Sequence, residues 1–92
     1  MKLTLFSQWD CKTCLALKEK LKEEELTYKL IEVLEHRELW EEIRKQQLQL
    51  DPSSIMYTPT ILVESKGIGV YISAGRDFDE VGEALDKVKE YL

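Results

Sequence analysis

The sequence predicts a single α/β domain with a mixed four-stranded sheet flanked by helices, and three observations predict it. Short runs with period-two or continuous apolar character stand near the start and in the middle of the chain. Apolar stripes spaced three and four apart separate and follow them, so the element order reads β-α-β-α-β-β-α. The first strand–helix–strand step requires a parallel pair with a right-handed crossover, whereas the last two strands are too close in sequence for anything but an antiparallel hairpin. At 92 residues there is room for one core and none for a deep enclosed pocket, so chemistry is expected at the surface.

Leu3, Thr4, Leu5 and Phe6 form the first strand, short and apolar as a strand buried on both faces would be. From Cys11 to about Glu25 the spacing becomes helical: Cys14, Leu17 and Leu21 share one stripe, Lys18, Glu19, Lys20, Lys22 and Glu23 cover the rest, and Asp10 is the expected N-cap. Tyr28 to Leu34 returns to strand spacing, with Tyr28, Leu30 and Glu32 on one side and Lys29, Ile31 and Val33 on the other. Glu38 to Leu50 reads as a second helix through Leu39, Trp40, Ile43 and Gln47, stopped by Pro52, which lacks an N–H. A polar linker runs from Pro52 to Thr58. Thr60 to Val63 and Ile68 to Ile72 are the two hairpin strands, joined by a loop ending in Gly67. Phe78, Val81, Leu85, Val88 and Leu92 mark the last helix, for which Asp77 and Glu80 offer an acidic capping box.

Composition narrows the function. Thirteen Lys and Arg are interleaved with eighteen Asp and Glu for a formal charge of −5, which argues against nucleic acid as a partner because counterion release needs clustered cations. No run approaches the roughly 18 apolar residues of a membrane helix, and Met1 to Phe6 is too short for a signal peptide, so a cytoplasmic protein with no membrane partner is expected. Two cysteines close together are not the multi-bridge framework of a small secreted scaffold. In a reducing compartment such a pair does chemistry more often than stapling.

That pair is Cys11-Lys12-Thr13-Cys14, set directly after the first strand at the start of the first helix. A thiolate is the reactive form, and a cysteine in the first helical turn faces unpaired N–H groups and the positive end of the helix dipole, both of which favour it. Cys11 is therefore the expected nucleophile, and Cys14, one turn deeper on the same face, the resolving thiol. Lys12 adds a positive charge beside the sulfur and Asp10 opposes it. Competing readings are a zinc site, for which the chain offers only His36 besides the two cysteines; an iron–sulfur cluster shared across a dimer; and inert core cysteines. No metal is expected.

Two further places bear on the site. Thr58-Pro59-Thr60 opens the third strand, where a cis peptide would turn the backbone of Thr58 toward the sulfur to pair with an extended substrate; a simple loop-ending proline is the alternative. Ala74-Gly75-Arg76-Asp77 precedes the last helix, where a tight turn, helix amides and the arginine charge could hold a carboxylate; a plain turn followed by a cap is the alternative.

Together these places, and the element order, resemble the glutaredoxin branch of the thioredoxin superfamily over nearly the whole chain. The resemblance implies a thioredoxin-like fold of glutaredoxin type and thiol–disulfide exchange by Cys11 and Cys14. It also implies a cis-proline element at Thr58 and Pro59, and glutathione contacts from Gly75, Arg76 and Asp77, with Lys12 and Thr13 beside the sulfur. Glutathione is the implied reductant. Disulfide-containing or glutathionylated proteins are the implied partners of a monomeric enzyme, ribonucleotide reductase among them. The chain departs from the family's pattern in several places. Lys12-Thr13 replaces the common Pro-Tyr, Ser7-Gln8-Trp9-Asp10 lacks the usual lysine, leaving Lys12, Gln46 or Gln47 as substitutes, and Ala74 replaces the first glycine of the family's Gly-Gly pair. A thioredoxin-reductase system is thus the other candidate electron donor. A metal-binding module and a redox-inactive docking subunit are the alternatives from other classes.

Overall fold

The computed structural model describes residues 1–91. The order is β1 (Lys2–Ser7), α1 (Lys12–Glu23), β2 (Lys29–Glu32), α2 (Arg37–Leu50), β3 (Tyr57–Ser65), β4 (Ile68–Ala74) and α3 (Val81–Lys89), as the periodicities predict. The four strands form one sheet in the order β2-β1-β3-β4. β1 and β2 are parallel, with Leu5 opposite Leu30 and Ser7 opposite Glu32. β1–β3 and β3–β4 are antiparallel.

Alternation along β1 divides the core between the two faces of the sheet. Leu3 and Leu5 join Leu17 and Leu21 of α1, Ile61 and Val63 of β3, and Ala84, Leu85 and Val88 of α3. Phe6 turns the other way, to Trp40 and Ile43 of α2 and to Met56, its ring stacked on Trp40 at 5.4 Å between centroids. The helices therefore lie two on one face and one on the other. The hairpin closes through Lys66 and Gly67, with φ of 54° and 78°, the pair of left-handed residues a two-residue turn between twisted strands requires.

Several expectations shift by a residue or a role. Cys11, not Asp10, is the N-cap of α1, because its own sulfur accepts the Cys14 N–H; Asp10 instead accepts from the Gln8 side chain. In α2 only Trp40 and Ile43 are buried, since a single helix on that sheet face needs only a narrow stripe, and Leu39 stays exposed. At α3 the N-cap is Glu80, and the Glu83 carboxylate accepts from the amides of Glu80 and Asp79 at 3.1 and 3.3 Å. Asp77 is drawn back onto β4 and does not cap the helix. Leu92, expected on the last stripe, lies outside the described residues.

Candidate active site

The site forms where β1 ends and α1 begins. Cys11 has an extended backbone (φ −100°, ψ 109°), which places its side chain over the first turn of α1, and its Sγ accepts the Cys14 N–H at 3.1 Å. An amide aimed at sulfur binds a thiolate more strongly than a thiol. Cys14 sits in the same turn but is fully buried, whereas Cys11 is partly exposed; both are free thiols. Burial, reinforced by the neighbouring Cys11, pushes the Cys14 thiol up to about 11. The pair is thus asymmetric: one sulfur meets solvent at a helix N-terminus, and the other waits protonated beneath it.

The Thr58–Pro59 peptide is cis, and the Thr58 carbonyl oxygen lies 4.0 Å from Cys11 Sγ. Between Tyr57 and Thr60 the β3–β4 register shifts, so residues 58 and 59 leave the ladder. Hydroxyl groups replace the lost ladder bonds: Thr60 Oγ1 donates to Tyr57 O at 2.6 Å, and Ser73 Oγ accepts from Tyr57 N at 2.9 Å. That arrangement frees the backbone at Thr58 to face the active sulfur.

Gly75 adopts a φ of 80°, and a Cβ there would stand 3.2 Å from the Tyr57 ring, so the turn lies directly beside the cis-proline loop. The 75–77 turn uses its donors internally. Gly75 N bonds to Phe78 O and Asp77 N to Ser73 O. The Arg76 guanidinium pairs with Asp77 Oδ2 at 2.7 Å and also donates to the Ser54 hydroxyl and the Tyr71 carbonyl. The structure therefore brings Cys11, Cys14, Thr58 and Pro59 together and sets Gly75 next to them. Arg76 and Asp77 lock the loop that leads into the proline. Lys12 and Thr13 project from the first turn into solvent. Among the described residues, no third His, Cys, Asp or Glu joins the two sulfurs in a group able to hold a metal ion.

Sequence reasoning missed two things here. Tyr57, 55% exposed, stands between the proline and Gly75, and with Trp9, 62% exposed, it makes the rim of the site aromatic; its place immediately before Thr58-Pro59 was the available signal. Ser7 lies one residue past the strand predicted from Leu3 to Phe6, yet it ends β1 fully buried, and its period-two spacing from Leu3 and Leu5 carries it into the same interior.

No model of a known protein family matches the chain, and neither does any curated protein. Solved structures do. The thioredoxin-like protein BC3987 is 22% identical, with a TM-score of 0.61 over 99% of this chain and 100% of its own. Thioredoxin 1 from the thermophilic eubacterium Thermosipho africanus is 21% identical, with a TM-score of 0.61 over 99% of this chain and 93% of its own. The chain has a thioredoxin-like fold, with a close cysteine pair at the start of its first helix.

Proposed function

We propose that the protein is a thiol–disulfide oxidoreductase of glutaredoxin-like type, working in a reducing compartment on disulfide-containing or glutathionylated proteins. The single observation that carries this reading is the asymmetry of the pair: Cys11 capped by an amide at the surface, Cys14 sealed and protonated one turn below. Cys11 attacks a sulfur of the target disulfide, and the departing sulfur leaves with the bond's electron pair. Cys14 then attacks Cys11, expels the reduced product and closes the Cys11–Cys14 bond. With a glutathionylated protein, Cys11 takes the glutathionyl group and a second glutathione removes it. The backbone of Thr58 offers an extended client segment one edge to pair with, and Trp9 and Tyr57 offer it apolar surface. No helix among the described residues is long and apolar enough to cross a membrane.

The reductant is either glutathione or a thioredoxin-reductase system. The internal pairing of Gly75 N, Asp77 N and Arg76 favours the second, because those donors are engaged before any carboxylate arrives. Two experiments test the reading. Cys14→Ser should accumulate a stable mixed disulfide with client or probe, visible by intact-mass measurement, and Cys11→Ser should form none; equal trapping by both variants refutes the roles. Turnover of a disulfide substrate with glutathione plus glutathione reductase, set against thioredoxin reductase, then identifies the donor.

A further inference from the structure

Thr60 and Ser73 are both fully buried, and they are register partners on β3 and β4. Alternation puts them on the sheet face that carries Leu62 and Tyr71, where an apolar pair could be buried without needing any partner. Both hydroxyls instead serve one residue, Tyr57. Tyr57 N donates to Ser73 Oγ at 2.9 Å, the hydroxyl oxygens of Ser73 and Thr60 lie 2.9 Å apart, and Thr60 Oγ1 donates to Tyr57 O at 2.6 Å. A hydroxyl has one proton to give. Thr60 gives its own to Tyr57 O, which leaves the Ser73 proton for Thr60 Oγ1 or for Tyr57 O itself, 3.1 Å away. Either way the bonds close a ring that starts and ends on Tyr57.

The ring sits where the ladder fails. Tyr57 pairs with Ala74, and the register shift that follows leaves residues 58 and 59 outside the pairing. Among the described residues neither β1 nor β4 pairs with Thr58, so its orientation depends on Tyr57. A peptide unit is planar, and holding the Tyr57 carbonyl inward on Thr60 therefore holds the Thr58 N–H pointing the opposite way. The Thr58 carbonyl follows on the same short segment, 4.0 Å from Cys11 Sγ. Ser73 has its own support: its N–H donates to Asp77 Oδ2 and its carbonyl accepts from Asp77 N, both at 2.8 Å, so its backbone is fixed before its side chain reaches Tyr57.

We propose that Thr60 and Ser73 are positioning residues for client recognition: the hydroxyl ring they close on Tyr57 holds the Thr58 backbone in the orientation with which an extended client segment pairs beside Cys11. This deepens the thiol-exchange reading above and rests on it. None of the ring's bonds involves a sulfur, so it bears on how tightly a polypeptide disulfide docks and not on the attack of Cys11 once that disulfide is in place. A disulfide too small to pair with the Thr58 backbone is indifferent to it.

The test uses the reduced full chain and two probes that share a leaving group. Dithiobis(nitrobenzoate) is the small disulfide; the other is an extended peptide of about eight residues whose central cysteine carries thionitrobenzoate. With each, a bond forms from Cys11 to the probe's sulfur, the probe's disulfide bond breaks, and its electron pair leaves on coloured thionitrobenzoate. Thr60→Val and Ser73→Ala should each raise the half-saturating concentration of the peptide probe about fivefold or more. The maximal rate, and the rate with dithiobis(nitrobenzoate), should change by less than about twofold. Thr60→Ser, which keeps the hydroxyl, should restore peptide docking to within about twofold of wild type. A half-saturating concentration unchanged in both variants overturns the proposal, as does a wild type that shows no saturation with the peptide. Equal slowing with both probes, the mark of a displaced cysteine helix, overturns it too. So does loss of the fold in both variants by circular dichroism, which makes the hydroxyls supports of stability alone; if only Ser73→Ala unfolds, Thr60→Val, which keeps the side chain's shape, decides. A wild-type protein that releases thionitrobenzoate from neither probe overturns the thiol-exchange reading itself.

Discussion

At the scale of single residues, one sulfur position separates two roles. Cys11 ends the extended segment and caps a helix; Cys14, three residues on, faces the sheet and loses all contact with solvent. The spacing was legible in the sequence, because residues one helical turn apart share a face. That Cys11 and not Asp10 would cap the helix was not, since Asp10 is the better cap by residue type and loses only because the chain turns one residue later. The burial of Cys14 makes a prediction about stability. In the folded reduced protein its thiol holds its proton up to about pH 11, against an ordinary value of 9.0 when unfolded. The folded state therefore binds the extra proton between those values, so the associated stability is intact below pH 9 and falls as pH rises toward 11. At about 1.4 kcal/mol per pH unit the loss amounts to about 2–3 kcal/mol. Urea unfolding under excess reductant should show it, and Cys14→Ala should remove that part of the alkaline slope; a slope unchanged by the substitution would contradict the account.

Secondary-structure elements were legible where their pattern is long. The stripe of α1 through Cys14, Leu17 and Leu21 is buried as its spacing requires. The stripe of α2 was read too widely because Leu39 is apolar and in phase, yet one helix alone on its sheet face covers the sheet with Trp40 and Ile43. The start of α3 was read from acidic residues alone, which Asp77, Asp79, Glu80 and Glu83 all satisfy. Only the structure selects Glu83 as the side chain that reaches back to the free amides. Replacing Glu83 with Ala should accordingly cost about 0.5–2 kcal/mol in chemical denaturation, with Glu83→Gln retaining most of the stability because the acceptor oxygen survives. An Asp77→Asn variant should leave the helix content measured by circular dichroism unchanged, since Asp77 bonds β4 and not the helix.

Across the whole molecule, Arg76 ties regions that the sequence keeps apart. Its guanidinium joins Asp77, the Ser54 hydroxyl and the Tyr71 carbonyl, while Arg44 donates to the Met56 carbonyl at 3.1 Å, so two cations fasten the 51–57 segment that delivers Thr58 and Pro59 to the sulfur. Arg76→Met should destabilise the protein by about 1–3 kcal/mol, because it strands a partly buried carboxylate and several acceptors. The exposed pair of Lys89 and Glu24, 3.2 Å apart, makes the contrast: Lys89→Met should change stability by less than about 1 kcal/mol. Parallel urea titrations of the two variants check the ranking, and equal effects would show that Arg76 is not the fastening it looks to be.

The amino-acid order by itself determined the seven elements, the parallel and antiparallel pairings and the cysteine pair at a helix start, because periodicity, loop length and the helix N-terminus are local properties. Only the tertiary structure decided that Arg76 is spent inside the fold, that Tyr57 rims the site and that Ser7 and Glu32 are buried opposite one another where β1 and β2 end. Each of those depends on strand register and on which face a side chain turns to, and these are fixed when distant segments pack together.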